Sequence, residues 1–214
     1  SSPLDSLAAR LIHQAFNDSF PGALRRGVLD LGLKRIALPE AANTQDFIGL
    51  NYYTLDQVRF NLLRSRDFFH TRRFPPSAEV SDNGFVANVP EGLWGALKWA
   101  SRYQKPILIS ENGVEDADDD LRPRYLIQHI HQVWRGVNFS WPIKGYFHWS
   151  LVDNFEWERG WSQRFGLWGL ELESQARIRR RSVDVYEAIC RENGITSEMV
   201  EQYAPEIFKK VFPA

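Results

Sequence analysis

Short apolar segments that end in polar residues alternate along the chain with longer segments in which apolar residues recur every three or four positions. The first pattern is typical of strands in a parallel sheet, and the second is typical of amphipathic helices. Strands are predicted at 46–53, 106–113 and 144–150. Helices are predicted at 1–20, 23–29, 91–103, 122–138, 182–193 and 197–210. The alternation predicts an α/β fold of parallel βαβ units with right-handed crossovers.

The region before the third helix carries no such pattern. Residues 55–63 are expected to be extended, and the proline- and asparagine-bearing segment 65–90 is interpreted as one long loop. A loop of that length inside a compact domain is usually functional or mobile. Near the other end of the chain, Gly194 is expected to end the helix at 182–193.

The strand at 106–113 carries the first candidate for chemistry. Its apolar residues run without alternation into Ser-Glu-Asn-Gly at 110–113, which predicts a strand buried on both faces. Polar residues at the carboxyl end of a parallel strand are where α/β barrels and open α/β sheets carry their active sites. Glu111 is therefore a candidate catalytic residue, and the alternative is that it only caps a turn. Gly113 is expected to let the chain turn sharply.

Two further segments pass from a strand into a polar turn. They read Asp-Phe-Ile-Gly-Leu-Asn-Tyr-Tyr-Thr at 46–54 and Gly-Tyr-Phe-His-Trp-Ser-Leu-Val-Asp-Asn-Phe-Glu-Trp at 145–157. Together with Ser-Glu-Asn-Gly, they resemble motifs of glycoside hydrolase family 1, the retaining β-glucosidases and β-galactosidases. The motifs stand in the family's order, and the resemblance covers nearly the whole chain. It implies the C-terminal part, about three βα units, of a (β/α)8 TIM barrel.

The resemblance also implies a role for individual residues. In retaining glycoside hydrolysis one carboxylate attacks the anomeric carbon, and a second carboxyl group protonates the leaving oxygen. Glu111 corresponds to the nucleophile and Tyr53 to the tyrosine that donates a hydrogen bond to it. The implied sugar-binding residues are Asn51, Trp149, Glu156, Trp157 and Phe165. A carboxylate that accepts from two hydroxyls beside an indole ring suits a neutral β-linked sugar. For Tyr53 and Phe165 the alternative is ordinary packing, and Asp153 is expected to hold the turn backbone.

The second carboxyl group has no counterpart in this sequence, because the family's Asn-Glu-Pro signature does not occur. A closed barrel typically needs about 250 residues, whereas the chain has 214. We therefore interpret 1–214 as a single domain that begins partway through a larger protein and lacks the first five strands. It would hydrolyse O-glycosidic bonds only when completed by the missing N-terminal portion, as a complementary chain or segment, and alone it would form homo-oligomers or be partly disordered. The alternative is a truncated, inactive relative that binds carbohydrate or acts as a scaffold.

Composition limits the remaining function classes. The formal net charge is −1 with mixed charges, so neither nucleic acid nor a membrane is predicted as a partner. The single cysteine, Cys190, excludes an intrachain disulfide, is expected to be buried, and fits a reducing compartment such as the cytoplasm. No cofactor is predicted. The acidic turn at 115–120 lacks the glycine and the distal glutamate of a calcium loop, so it is interpreted as solvated and not as a metal site.

Overall fold

The computed structural model describes residues 2–32 and 34–213. The helices are α1 (Pro3–His13), α2 (Ser19–Arg26), α3 (Pro90–Ser101), α4 (Arg122–Asn138), α5 (Arg181–Glu192), α6 (Ser197–Tyr203) and α7 (Phe208–Val211). The strands are β1 (Val28–Asp30), β2 (Arg35–Ala37), β3 (Ile48–Asn51), β4 (Gln57–Phe60), β5 (His70–Arg73), β6 (Glu79–Val80), β7 (Ala87–Asn88), β8 (Ile107–Asn112), β9 (Ile143–His148), β10 (Trp168–Leu170) and β11 (Arg177–Arg179).

The described residues group into two compact units. The first contains 2–32, 34–48, 55–77 and 103–106, and the second contains 49–54, 78–102 and 107–213. All of the predicted site residues belong to the second unit. The interpretation of 1–214 as a single domain stays a prediction.

The first unit is built from one long helix and two hairpins. Ser2 and Asp5 form a capping box at the start of α1, and a π-helical turn at 14–18 joins α1 to α2. The prediction of a separate helix at 23–29 is wrong. The helix ends at Arg26 because Gly27 adopts φ 68° and donates its N–H to the carbonyl of Ala23. A left-handed glycine at this position is a common way to end a helix, and the chain then returns as the β1–β2 hairpin.

The second unit is organised around a three-stranded sheet in the order β3–β8–β9. Strands β8 and β9 are parallel. The backbone N–H of Ile48 bonds to the carbonyl of Pro106, and that of Tyr52 bonds to the carbonyl of Glu111, so β3 and β8 also run in the same direction. The prediction that the three motif-bearing strands are adjacent and parallel is confirmed.

The two faces of this sheet differ in burial. In β8 the side chains of Ile107 and Ile109 are fully buried, whereas Leu108 is half-buried and Ser110 is exposed. In β9 Phe147 is 59% exposed. The prediction that the central strand is buried on both faces is therefore wrong for the described residues. Helix α3 contacts β8 and helix α4 contacts β9.

The main apolar core of the second unit lies among its C-terminal helices. It is formed by Leu126, Ile127, Leu167, Val185, Ala188, Ile189, Met199, Val200, Ala204, Ile207 and Val211. A smaller cluster beside the strand ends contains Val86, Val114, Leu121, Tyr125 and Phe165. Within residues 2–32 and 34–213, none of the helices has the length and apolarity needed to cross a membrane.

Three local expectations are corrected by the structure. The segment 65–90 is not a single loop, since it contains β5 and the β6–β7 hairpin. Cys190 is exposed, because it follows Ala188 and Ile189 around α5 and so falls beside the face that these two residues bury. Asn193, at φ 48°, ends α5 in place of Gly194. Asparagine is one of the few residues that adopt the left-handed conformation readily.

We expect the stability of the fold to fall on acidification because His129 is buried and neutral. Its Nδ1–H donates to the carbonyl of Tyr125, and burial lowers its pKa to about 3. An unfolded histidine takes up a proton below about pH 6.5, so acid favours the unfolded chain between about pH 6.5 and pH 3. Burial raises the pKa of Asp116 to about 6. Acid therefore favours the folded chain at this residue, which opposes the effect of His129.

Substitution of His129 isolates its contribution. The substitution His129→Phe keeps an aromatic ring at the position that stacks on Tyr125 and removes the imidazole group that titrates. Urea unfolding from about pH 7.5 to pH 4 should then give a shallower loss of unfolding free energy with acidification. The difference between the two proteins at pH 7.5 measures the change in packing together with the loss of the hydrogen bond to the carbonyl of Tyr125. Equal slopes for both proteins would contradict the assignment.

Candidate active site

The carboxyl ends of the three parallel strands bring the predicted motif residues to one edge of the sheet. Asn51 is the last residue of β3, Glu111 is the next to last residue of β8, and Trp149 directly follows β9. The N–H of Trp149 donates to the carbonyl of Asn112 over 2.9 Å, which joins the ends of β8 and β9. The predicted location of these residues at the strand ends is confirmed.

Glu111 lies at an irregularity in the sheet. Ile109 is paired with Tyr146 and Asn112 with His148, so β8 advances by three residues where β9 advances by two. The extra residue falls within Ser110–Glu111. A bulge of this kind bends the strand and changes the direction of a side chain, and bulges are common next to active sites.

The carboxylate of Glu111 accepts a hydrogen bond from the hydroxyl of Tyr53, with 2.6 Å between Oη and Oε2. Burial, this hydrogen bond and the negative charges of Glu111 and Glu156 raise the pKa of Tyr53 far above its ordinary value. Tyr53 is therefore a permanent hydrogen-bond donor that holds one oxygen of Glu111. A hydrogen bond donated to the charged form of a carboxylate favours that form.

The second carboxylate of the site is held by two neutral donors. Oε1 of Glu156 accepts from the indole N–H of Trp149 over 2.9 Å and from the side-chain amide of Asn154 over 2.7 Å. The hydroxyl of Ser150 lies 3.1 Å from the amide oxygen of Asn154 and extends the network. The charge of Glu156 also acts on Tyr53, so both carboxylates belong to one electrostatic environment.

An aromatic wall stands beside these polar groups. The ring of Phe165 is almost fully buried and packs edge-on against Tyr53, with 5.9 Å between the ring centroids. On its other side it packs edge-on against Phe85, in the β6–β7 turn, at 6.5 Å. Phe165 therefore packs in the interior and also forms one side of the site. Its predicted contact with sugar stays a prediction.

Among the described residues, neither Asn51 nor Trp157 makes a side-chain hydrogen bond or ring contact with Glu111 or Tyr53. The side-chain oxygen of Asn51 accepts from the hydroxyl of Ser110 over 2.8 Å. Trp157 begins a one-turn 3-10 helix with φ 48°, and its indole is 81% exposed. Their roles in sugar binding stay predictions.

The turn that carries Glu156 is fixed from below by Asp153. Its carboxylate accepts from the backbone N–H groups of Gly166 and Leu170, at 2.9 and 3.2 Å. It also pairs with the guanidinium of Arg180, at 2.8 and 3.1 Å. Asp153 is buried, and breaking one side of a buried ion pair is strongly destabilising. The expectation that Asp153 ties down the turn backbone is confirmed.

Sequence reasoning missed a buried network beneath Glu111. The side-chain amide of Asn112 donates to the carbonyl of Tyr52 over 2.7 Å, and its oxygen accepts from the hydroxyl of Tyr146 over 2.7 Å. The hydroxyl of Tyr125 donates to the carbonyl of Tyr53 over 2.9 Å. Successive residues of a strand point to opposite faces, so the position of Asn112 directly after Glu111 was the available signal for a supporting role.

Gly113 is needed for a different reason from the one predicted. Its φ is not in the left-handed region. A Cβ at this position would instead overlap the carbonyl oxygen of Trp149. The glycine of the Ser-Glu-Asn-Gly segment therefore allows the backbones that follow β8 and β9 to touch.

Comparisons with known proteins identify the family of this chain. A sequence profile described as "Glycosyl hydrolase family 1" matches residues 26–195. A beta-galactosidase of Saccharolobus solfataricus is 33% identical over 92% of this chain and 42% of its own length. A 1,4-beta-D-glucan glucohydrolase of Thermotoga neapolitana is 36% identical over 90% of this chain and 48% of its own length. The chain thus spans about half the length of these relatives.

Solved structures give the same result. A beta-glycosidase from Pyrococcus horikoshii superposes with a TM-score of 0.85 at 33% identity, over 95% of this chain and 48% of that one. A beta-glucosidase from Thermotoga maritima in complex with glucoimidazole superposes with a TM-score of 0.79 at 32% identity, over 91% of this chain and 48% of that one. The α/β architecture is that of a family of sugar-cleaving enzymes. The chain belongs to glycoside hydrolase family 1.

Two glycine substitutions test the close approach of the backbones. Gly113→Ala should lower the unfolding free energy by about 1–3 kcal/mol or more, because the added methyl group must displace the backbone at Trp149. Gly95→Ala is the matched control. Gly95 is exposed in α3 with open space around its Cβ position, so alanine there should stabilise by about 0.5–1 kcal/mol. Urea denaturation of both variants measures the effects, and equal midpoints would contradict this account of Gly113.

Proposed function

We propose that this chain supplies the nucleophile and the sugar-binding half of a retaining β-glycosidase. The observation that carries the proposal is the 2.6 Å hydrogen bond from Tyr53 to Oε2 of Glu111. Oε1 of Glu111 accepts no hydrogen bond from the described residues. This oxygen would attack the anomeric carbon and form the glycosyl–enzyme intermediate, while Tyr53 holds the carboxylate in orientation.

The substrate we propose is a β-linked neutral sugar. Glu156 has one oxygen engaged by Trp149 and Asn154, which leaves the second to accept from sugar hydroxyls. The indole of Trp149 is partly buried against the smaller cluster beside the strand ends and would face the apolar side of the sugar ring. The relatives named beta-galactosidase and 1,4-beta-D-glucan glucohydrolase act on such sugars by their names, which supports this choice of substrate class.

We further propose that activity requires a complementary segment. Retaining hydrolysis needs a second carboxyl group about 5–5.5 Å from the nucleophile. Glu156 is committed to binding in this proposal, so the acid/base group comes from outside the chain. The face of the β3–β8–β9 sheet that carries the exposed Phe147 offers a surface for such a segment.

The first unit exposes a second apolar surface. In α1, Leu4, Leu7 and Leu11 are 45–51% exposed, although an apolar stripe of this kind on a helix normally packs against a partner.

The alternative is a relative that binds carbohydrate without cleaving it. The exposed indole of Trp157 favours this function, since exposed tryptophan rings are suitable platforms for sugars. The intact pair of Glu111 and Tyr53 favours the enzyme, because a binding protein has no use for a nucleophile.

Removal of the nucleophile tests the enzymatic proposal. In the completed enzyme, Glu111→Ala should lower kcat on the order of a thousandfold or more, because no glycosyl–enzyme bond can form. Azide should restore turnover from the vacated side and give a product of inverted anomeric configuration, since one displacement then replaces two. Anomer-resolved NMR of the product is the measurement.

Glu156→Ala is the matched control for this experiment. It removes a neighbouring carboxylate that we assign to binding, so it should weaken sugar recognition and azide should restore nothing. If both variants lose activity equally and azide rescues neither, Glu111 is not the nucleophile.

The need for completion makes a separate prediction. The chain alone should be oligomeric or partly disordered, since the β3–β8–β9 sheet has two edges that pair with no other strand of the described residues. The chain alone should not hydrolyse nitrophenyl glycosides. Co-expression with the N-terminal barrel segment of a family 1 relative should produce activity. The control is the same segment with the glutamate of its Asn-Glu-Pro sequence changed to glutamine. A monomeric, cooperatively melting and active chain would contradict the proposal.

A further inference from the structure

Three aspartates from two separate turns meet outside the site described above. Asp82 lies in the turn between β6 and β7, and Asp116 and Asp118 lie in the turn that follows β8. One carboxylate oxygen from each lies within 4.8 Å of the others. The sequence pattern indicates an acidic turn only at 115–120. It does not reveal Asp82, which lies more than thirty residues earlier in the chain.

Asp116 is the buried member of this group, with an exposed fraction of 1%. Its Oδ2 accepts from the backbone N–H groups of Leu121 and Arg122, at 3.0 and 2.7 Å. Its Oδ1 is buried and has no hydrogen-bond partner among the residues that the structure describes. A buried carboxylate oxygen without a partner is costly, and the carboxylate that carries it has an oxygen within 4.8 Å of an oxygen of Asp82 and of Asp118.

The nearby arginine attracts the Asp116 carboxylate by its charge, but its ion pair and its hydrogen bonds are made with other groups. Arg122 is fully buried, and its ion pair is with Asp119. Its Nη2 donates to the backbone carbonyls of Asp116 and Arg164, and its buried Nε has no hydrogen-bond partner among the described residues. The two exposed aspartates each have one oxygen occupied by a backbone N–H. Asp82 accepts from Ala117 and Asp118 accepts from Asp120.

We propose that Asp82, Asp116 and Asp118 bind a calcium ion. All three ligands are oxygens, which hard divalent cations prefer. Calcium–oxygen distances of about 2.3–2.6 Å put any two ligands of one ion at most about 5 Å apart, which matches the observed grouping. Calcium also accepts an irregular ligand set completed by water, which the two exposed aspartates allow. Magnesium requires nearly ideal octahedral geometry with ligands at about 2.0–2.1 Å.

The ion would connect the three aspartates to the aromatic rings of Phe85 and Phe165 beside the candidate active site. The hydroxyl of Ser81 and the N–H of Phe85 both donate to Oε1 of Glu115, so the β6–β7 turn already lies on the turn after β8. Phe85 from this turn packs on Phe165. A calcium ion held by both turns would fix Phe85, whether or not the chain is a glycosidase.

Calcium titration by isothermal calorimetry, on the metal-stripped full chain, tests the proposal directly. We expect one calcium ion per chain with a dissociation constant below about 1 mM. Asp82→Asn and Asp118→Asn should each weaken binding about tenfold or more. Both positions are exposed, and the asparagine oxygen can still accept the backbone hydrogen bond, so the fold is retained. Circular dichroism of each variant checks this.

Asp120→Asn is the matched control. It removes the same charge from the same turn, and Asp120 feels the charges of Asp82 and Asp118, but it is not among the three ligands. Its calcium affinity should stay within about twofold of the parent chain. The proposal is overturned by an absence of calcium binding up to about 10 mM, by an equal loss in Asp120→Asn, or by magnesium binding as tightly as calcium.

Discussion

The candidate site depends on the contact between two stretches of backbone, one at Gly113 and one at Trp149. A side chain at position 113 would overlap the carbonyl oxygen of Trp149, and the N–H of Trp149 bonds to the carbonyl of Asn112. These interactions fix the ends of β8 and β9 relative to each other. The nucleophile candidate Glu111 and the sugar-binding candidate Trp149 are thereby held together by main-chain geometry.

Buried polar groups extend this constraint on both sides. Asn112 bonds to the main chain at Tyr52 and to the hydroxyl of Tyr146, while Asp153 holds the turn after β9 through Arg180 and two backbone N–H groups. Such networks have few alternative arrangements because every broken bond leaves a buried polar group unpaired. The two carboxylates of the site can then lie in one environment because each is held by neutral donors: Glu111 by a tyrosine, and Glu156 by an indole and an amide.

The sequence was sufficient for the three strands of the parallel sheet and for the position of Asn51, Glu111 and Trp149 at their ends, because apolar runs that stop at polar residues leave a strong signal. The alternation in β8 was misjudged, since the apolar run at Ile107–Ile109 does not reveal which face a sheet leaves open. The helix end at Gly27 and the left-handed Asn193 depend on single backbone conformations that periodicity does not record. The contact of Asp82 with Asp116 is long-range, and no local pattern predicts a meeting of two turns.

The most direct test of the central claim is covalent trapping of Glu111 in the completed enzyme. A 2-fluoro glycoside with a good leaving group does not need the acid/base carboxyl, so it reports on the nucleophile alone. Intact-mass spectrometry followed by peptide mapping should show one fluoro-sugar per chain, attached to the peptide that contains Glu111, and no label in Glu111→Gln. Label on another residue, or none at all in a preparation that hydrolyses β-glycosides, would contradict the account.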